Sequence, residues 1–328
     1  MPRKKLPFSL DPLDPKFVPA KPKHSIEESK VLELERAGNL IITRKRDGYR
    51  HLAAVTSRGV RIYTRGIEEV TDNYPEITQE IFQRLAISPR GTLLDGEMII
   101  DEGGKDNFER LAQVAKSNPE RARKLQESAP VRFMIFDVLV HGGELVTDLN
   151  YRTRLFMLRQ MFPQRAPEHI SLLEVLDCPF AEATKLVRKE NWEGLVLYDA
   201  TKTTEFRLDG KKDQPKRPEG CWKWKPLKED DFIAKSFAYG SGKNKNRMGK
   251  LFLFQIDHQT GEEISCGEVG GGFTDKDRED FVRAQYPLVV QVEFQKRFPS
   301  GALRHPQFLR LRTDKSPAEC LLPTKGHS

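Results

Sequence analysis

Lys45 is the side chain in this 328-residue sequence whose neighbours best suit a nucleophile. It lies in Thr43-Arg44-Lys45-Arg46-Asp47-Gly48-Tyr49-Arg50, between the apolar runs Leu40-Ile41-Ile42 and Leu52-Ala53-Ala54-Val55, which read as strands. An amine at a strand end, beside an acid and a glycine, suits attack on a phosphate. Arg44, Arg46 and Arg50 disfavour the ammonium; a free lysine titrates near ~10.4, and a drop of roughly three units is needed for useful nucleophilicity at neutral pH. Gly48 would let backbone approach a bound nucleotide closely. The same octapeptide also reads as a solvated basic turn between two strands.

Further segments place charge where phosphate chemistry wants it. Leu94-Asp95-Gly96-Glu97 ends a strand with two carboxylates, and Phe133 to Asp137 sets Phe136 beside an acid. Glu193-Gly194 adds another acid. In Trp222-Lys223-Trp224-Lys225 strand alternation puts both lysines on one face and both tryptophans on the other. Singly, each reads as a turn or a half-wetted strand. Gly270-Gly271-Gly272 lacks the Gly-Lys-Ser/Thr that would make it a phosphate cradle, so a turn in a β-domain is expected there.

The series Lys45-Arg46-Asp47-Gly48, Arg65-Gly66, Asp95-Gly96-Glu97, Phe136-Asp137, Glu193-Gly194 and Lys223-Trp224-Lys225 resembles, in order, the adenylation domain of ATP-dependent DNA ligases. Gly267 to Thr274, Arg304-His305-Pro306 and Arg310-Leu311-Arg312-Thr313-Asp314-Lys315 resemble the ligase OB domain, so the likeness runs from Leu40 to Lys315. It implies an α+β chain: a nucleotidyltransferase (ATP-grasp-like) adenylation domain followed by a small OB-fold β-barrel. By this resemblance Lys45 takes AMP from ATP, and Arg50 and Arg65 contact the ribose and phosphate region. Glu97 and Glu193 bind ribose hydroxyls or Mg2+ (or Mn2+), and Phe136 stacks on adenine. Lys223 and Lys225 face the phosphates, while Arg310 and Lys315, with Arg312 and Asp314, orient pyrophosphate when the OB domain closes. The implied partner is nicked duplex DNA in repair, replication or recombination, bound by a monomer without a separate helical DNA-binding domain. RNA ligases and GTP-using capping enzymes share this chemistry, and a non-catalytic nucleic-acid-binding protein could keep such a scaffold.

The elements that must position these residues follow from pattern. Six prolines (Pro2, Pro7, Pro12, Pro15, Pro19, Pro22) predict an extended surface arm or a partly disordered segment, and Ser25 as N-cap predicts a helix to Arg36 ending at Gly38. The arm and helix would span 1–39, the adenylation domain 40–227, the OB domain 228–316 and a tail 317–328. Strands are predicted at Gly59–Tyr63, Thr92–Ile100, Val131–Leu139 and Gly194–Tyr198, and helices at Tyr74–Leu85, Phe108–Ala115, Asn150–Met161 and Pro179–Glu190. Beyond Pro226 strands are predicted at Phe232–Phe237, Lys250–Asp257, Glu263–Val269 and Val289–Gln295, with a helix at Thr274–Ala284. With 55 Lys+Arg against 48 Asp+Glu, the net charge of +7 favours a polyanionic partner. The four cysteines have no metal-ligand spacing and no apolar stretch spans a membrane, so a cytoplasmic protein with reduced thiols is expected.

Overall fold

The computed structural model describes residues 6–85, 91–162, 168–242, 245–294, 296–298 and 300–323. The chain forms two compact units, Met1–Trp224 and Lys225–Ser328. No described helix is long and apolar enough to cross a membrane.

The first unit begins with β1 (Val18–Pro19), α1 (Glu28–Arg36), β2 (Leu40–Arg44), β3 (Tyr49–Thr56), β4 (Gly59–Thr64), α2 (Pro75–Leu85) and β5 (Thr92–Ile99). A short hairpin, β6 (Asp101–Glu102) and β7 (Lys105–Asp106), leads to α3 (Phe108–Ala115) and α4 (Pro119–Gln126). Then come β8 (Arg132–His141), β9 (Glu144–Leu145), α5 (Tyr151–Met161), β10 (Ile170–Leu172), α6 (Phe180–Lys189), β11 (Leu195–Asp199), β12 (Phe206–Arg207) and β13 (Cys221–Trp224). The main sheet has the order β10-β8-β5-β3-β4, with β9 on β8, and is antiparallel except at β10–β8.

That sheet is buried on both faces, which explains the unbroken apolar run Leu52–Val55. Ala53 and Val55 face Ile77 and Ile81 of α2 and Leu111 and Val114 of α3. Leu52 and Ala54 point the other way, onto Phe8, Leu10, Leu13 and Phe17. A smaller antiparallel sheet, β13-β11-β2, lays Ile42, Leu195 and Leu197 against Val31 of α1 and Phe180, Ala183 and Val187 of α6.

The proline-rich arm differs from its sequence expectation. Its apolar residues are buried, and Phe17 is fully so, with ring centroids 5.0 Å from Phe8 and 5.2 Å from Phe206. Val18 pairs with Arg207 in a two-residue ladder, and the Leu13 N–H donates to the Tyr63 hydroxyl at 3.2 Å. Prolines remove backbone donors, so this segment is held mainly by its side chains. Phe17→Ala should therefore cost about 3–5 kcal/mol in urea unfolding; a loss below about 1 kcal/mol would mean that the arm is not part of the core.

Each segment predicted between residues 25 and 198 coincides with an element of the expected type, most with shifted ends. The first helix opens at Glu28 with Glu27 as N-cap, in place of Ser25. Asn150 caps α5 by accepting from the Thr153 N–H at 2.9 Å. Helix α4 is not expected from periodicity, because Ala122 is its one buried residue; its signals are Asn118 as N-cap and Pro119 at its first turn.

The second unit comprises β14 (Lys228–Tyr239), β15 (Met248–Ile256), β16 (Glu263–Val269), α7 (Asp275–Arg283), β17 (Leu288–Phe294), β18 (Lys296–Arg297), β19 (Leu303–Arg304) and β20 (Gln307–Leu311). Its antiparallel sheet runs β16-β15-β14-β17-β20, and one isolated bridge, Gly271 to Gln307, ties the segment after β16 to β20. Phe232, Leu253, Val290, Val292, Phe281 and Phe308 fill the core. A β-bulge in β14 between Ala234 and Ser236 adds local twist. Thr274 and Asp277 form a capping box at the start of α7. Gly272 has φ +85°, and a Cβ there would collide with the Phe308 backbone, so the glycine run serves close packing onto β20.

Candidate active site

The Lys45 N–H donates to the Gly194 carbonyl at 2.9 Å, which fixes the end of β2 beside the start of β11. Its Nζ is ion-paired with the Glu193 carboxylate. The arginines beside it do not press on the amine unopposed. Arg44 pairs with Asp106 at 3.3 Å, Arg46 with Asp101 and Asp106, and Arg50 grips both oxygens of the buried Asp95, its Nε 2.7 Å from Oδ1. Like-charge crowding inferred from the sequence is thus offset by acids, including Asp106 from a hairpin some 60 residues downstream. The close approach allowed by Gly48 is also to protein: a Cβ there would collide with Met98 O of β5.

Lys45, Arg50, Arg65, Glu97, Phe136 and Lys223 line one cavity of about 720 Å³. Register explains how. On the main sheet Arg50 lies opposite Glu97 and Asp95 opposite Asp137, while on the small sheet Val196 lies between Thr43 and Lys223. Glu193 joins the group through Lys45. Ten basic side chains line the cavity against five acidic ones, a balance suited to an anionic ligand. Trp222 is buried and Trp224 packs against the small-sheet core, as the alternation predicts.

Lys225, Arg310 and Lys315 belong to the second unit. There Arg312 donates to both oxygens of Asp231 at 3.0 Å and to Asp314 at 2.8 Å, and Lys315 bonds Asp231 at 2.6 Å. Arg310 donates from Nε to Gln291 Oε1 at 2.7 Å.

Burial sets the electrostatics of the cavity. The carboxyl of Glu97 is pushed up to about 7 by burial; Lys45 and Arg50 oppose the rise, and Asp95 and Glu193 add to it. Burial lowers His51 to about 4, although its Nδ1 bonds the Tyr49 carbonyl at 2.8 Å, and raises Cys221 to about 12. Phe136 has the Arg50 guanidinium 5.5 Å from its ring centroid, and its carbonyl accepts from the Tyr151 hydroxyl at 3.0 Å. Tyr151 stacks on Tyr198 with centroids 4.0 Å apart, and Arg154 pairs with Asp137 at 2.7 Å.

Several lining residues were not singled out by sequence reasoning. Tyr151 and Arg154 look like ordinary positions of α5, and Ala20, Lys21 and Pro22 lie in the arm. Only pairing across the fold brings them to the cavity. Among the described residues no three His, Cys, Asp or Glu side chains form a metal cage. Glu97 and Glu193 still fit Mg2+, which commonly takes one or two carboxylates and fills its other positions with water and substrate phosphate.

The profile of the ATP dependent DNA ligase domain matches residues 20–213, and that of the DNA ligase OB-like domain matches 239–312. A DNA ligase of Thermococcus fumicolans is 29% identical over 87% of this chain and 54% of its own length. A DNA ligase of Archaeoglobus fulgidus is 30% identical over 88% of this chain and 54% of its own. The chain therefore spans about half the length of the curated relatives it matches. The fold is that of the ligase domain of M. tuberculosis LigD, with a TM-score of 0.52 at 20% identity over 94% of this chain and 99% of that one. Because the adenylation-domain profile alone covers more than half of its residues, in a region holding the Lys45 cavity, the chain belongs to the ATP-dependent DNA ligase family.

Proposed function

We propose that this chain seals 5′-phosphate/3′-hydroxyl nicks in duplex DNA by three displacements. Lys45 Nζ attacks the α-phosphorus of ATP; a P–N bond forms and pyrophosphate leaves. The nick's 5′-phosphate then takes AMP from Lys45, and the 3′-hydroxyl attacks the activated 5′-phosphate to release AMP. The observation that carries this reading is the backbone-anchored Lys45, paired with Glu193 in the wall of a predominantly basic cavity. Glu193 is the carboxylate in place to take the proton that Lys45 sheds. Phe136 offers its ring to adenine, and Arg50 and Arg65 bind ribose and phosphate oxygens. Lys223, in the cavity wall, acts on the phosphates. Glu97 and Glu193 would hold Mg2+, which when bound supplies positive charge against the phosphate oxygens.

The test is a sealing assay on nicked DNA and nicked RNA duplexes, supplying ATP or GTP. Sealing of the DNA nick with ATP is expected. Activity confined to RNA, or to GTP, overturns the assignment, and stable DNA binding with no transfer of AMP to the protein would make it a non-catalytic binder.

A further inference from the structure

We infer that Lys21 is a phosphate-binding residue of the Lys45 cavity, delivered by the N-terminal arm and held there by the loop between β12 and β13. The inference rests on the nucleotidyl-transfer reading above. Four consecutive arm residues are tied through their backbone. The Ala20 carbonyl accepts from Arg50 Nη1, and the Lys21 N–H donates to the Lys216 carbonyl at 2.9 Å. The Pro22 carbonyl accepts from Arg217 Nη1 at 2.6 Å, and Lys23 exchanges backbone bonds with Cys221 and Lys223 at 2.8 and 3.0 Å. The same loop reaches the far rim, where Lys212 Nζ donates to the Gly66 carbonyl beside Arg65. The arm thus sets Lys21 in the cavity wall with little backbone freedom.

Its charge environment is one-sided. No ion-pair partner of Lys21 is found among the described residues, whereas Arg44, Lys45, Arg46 and Arg50 each pair with a carboxylate. Burial lowers its pKa, and Arg65, Arg217 and Arg50 lower it further. A cation fixed among cations is relieved by an anion, and the flanking guanidinium groups suit phosphate oxygens. That phosphate belongs either to the nucleotide or to the 5′ end of the nick.

The experiment compares wild type, Lys21→Gln and Lys21→Arg in two separate steps. One arm measures the ATP concentration for half-maximal covalent labelling with α-labelled ATP. The other measures AMP transfer from pre-adenylated protein to a 5′-phosphorylated nick. The glutamine variant is expected to weaken one step about tenfold or more, with arginine restoring it to within about threefold of wild type. Weakening of labelling assigns the nucleotide, and weakening of transfer alone assigns the nick. Both steps within twofold of wild type, or a defect that arginine does not restore, overturns the inference. Absence of labelling in the wild type would instead sink the functional reading on which it rests.

Discussion

Lys45→Ala is expected to lower covalent labelling by α-labelled ATP roughly 10³-fold or more, because in the proposed reaction Lys45 supplies the nitrogen of the P–N bond. Lys45→Arg is expected to fail equally, since it keeps the charge and the pairing with Glu193 but loses the nucleophile. Sealing of a nick that already carries AMP on its 5′-phosphate should survive both changes, because that last displacement forms no bond to the protein. The survival separates loss of a nucleophile from loss of fold. Covalent AMP persisting on the alanine variant would place the attachment site elsewhere and remove the basis of the assignment.

The second large effect is a change in stability with pH. A carboxyl raised to about 7 in the folded chain keeps its proton where the unfolded chain, with its ordinary value of 4.5, has lost it. Its contribution to stability is complete below the unfolded value and disappears as pH rises through 7. At 1.36 kcal/mol per unit, and discounted for partial solvent access, the wild type should lose about 1–3 kcal/mol through Glu97 between pH 5 and pH 8. Glu97→Gln does not titrate. Its stability relative to wild type should therefore improve by that amount over the same interval, read from urea unfolding at the two pH values. Adenylation should fall nonetheless, because the variant cannot present the charged oxygen proposed to serve ribose or Mg2+. An offset that is the same at both pH values would contradict the placement of Glu97 in a desolvated site.

Much of the fold is legible in the sequence because its signals are local. Strict alternation marks β13, a two-sided apolar run marks β3, and Thr274 with Asp277 marks the start of α7. The cavity is legible only in part. Lys45, Arg50, Arg65, Glu97, Phe136 and Lys223 are found through their order along the chain, and they converge because β4-β3-β5-β8 and β2-β11-β13 pair in register. What the order hides is compensation. Three arginines beside a lysine suggest a crowded amine, yet their partners Asp95, Asp101 and Asp106 lie 45 to 62 residues away. The arm was hidden for a related reason: proline content describes its backbone, whereas its place in the fold is set by four apolar side chains with partners across the sheet.

The pairing of Val18 with Arg207 also bears on how the chain is made. Synthesis proceeds from the N-terminus at about 5–20 residues per second, so the first strand waits roughly 10–40 s for its partner. Throughout that interval Phe8 and Phe17 have left the ribosome without Phe206, the third ring of their cluster. The arm is thus made long before the strand it pairs with and is among the last parts of its unit to be completed, and its prolines discourage β-pairing with neighbouring chains in the meantime.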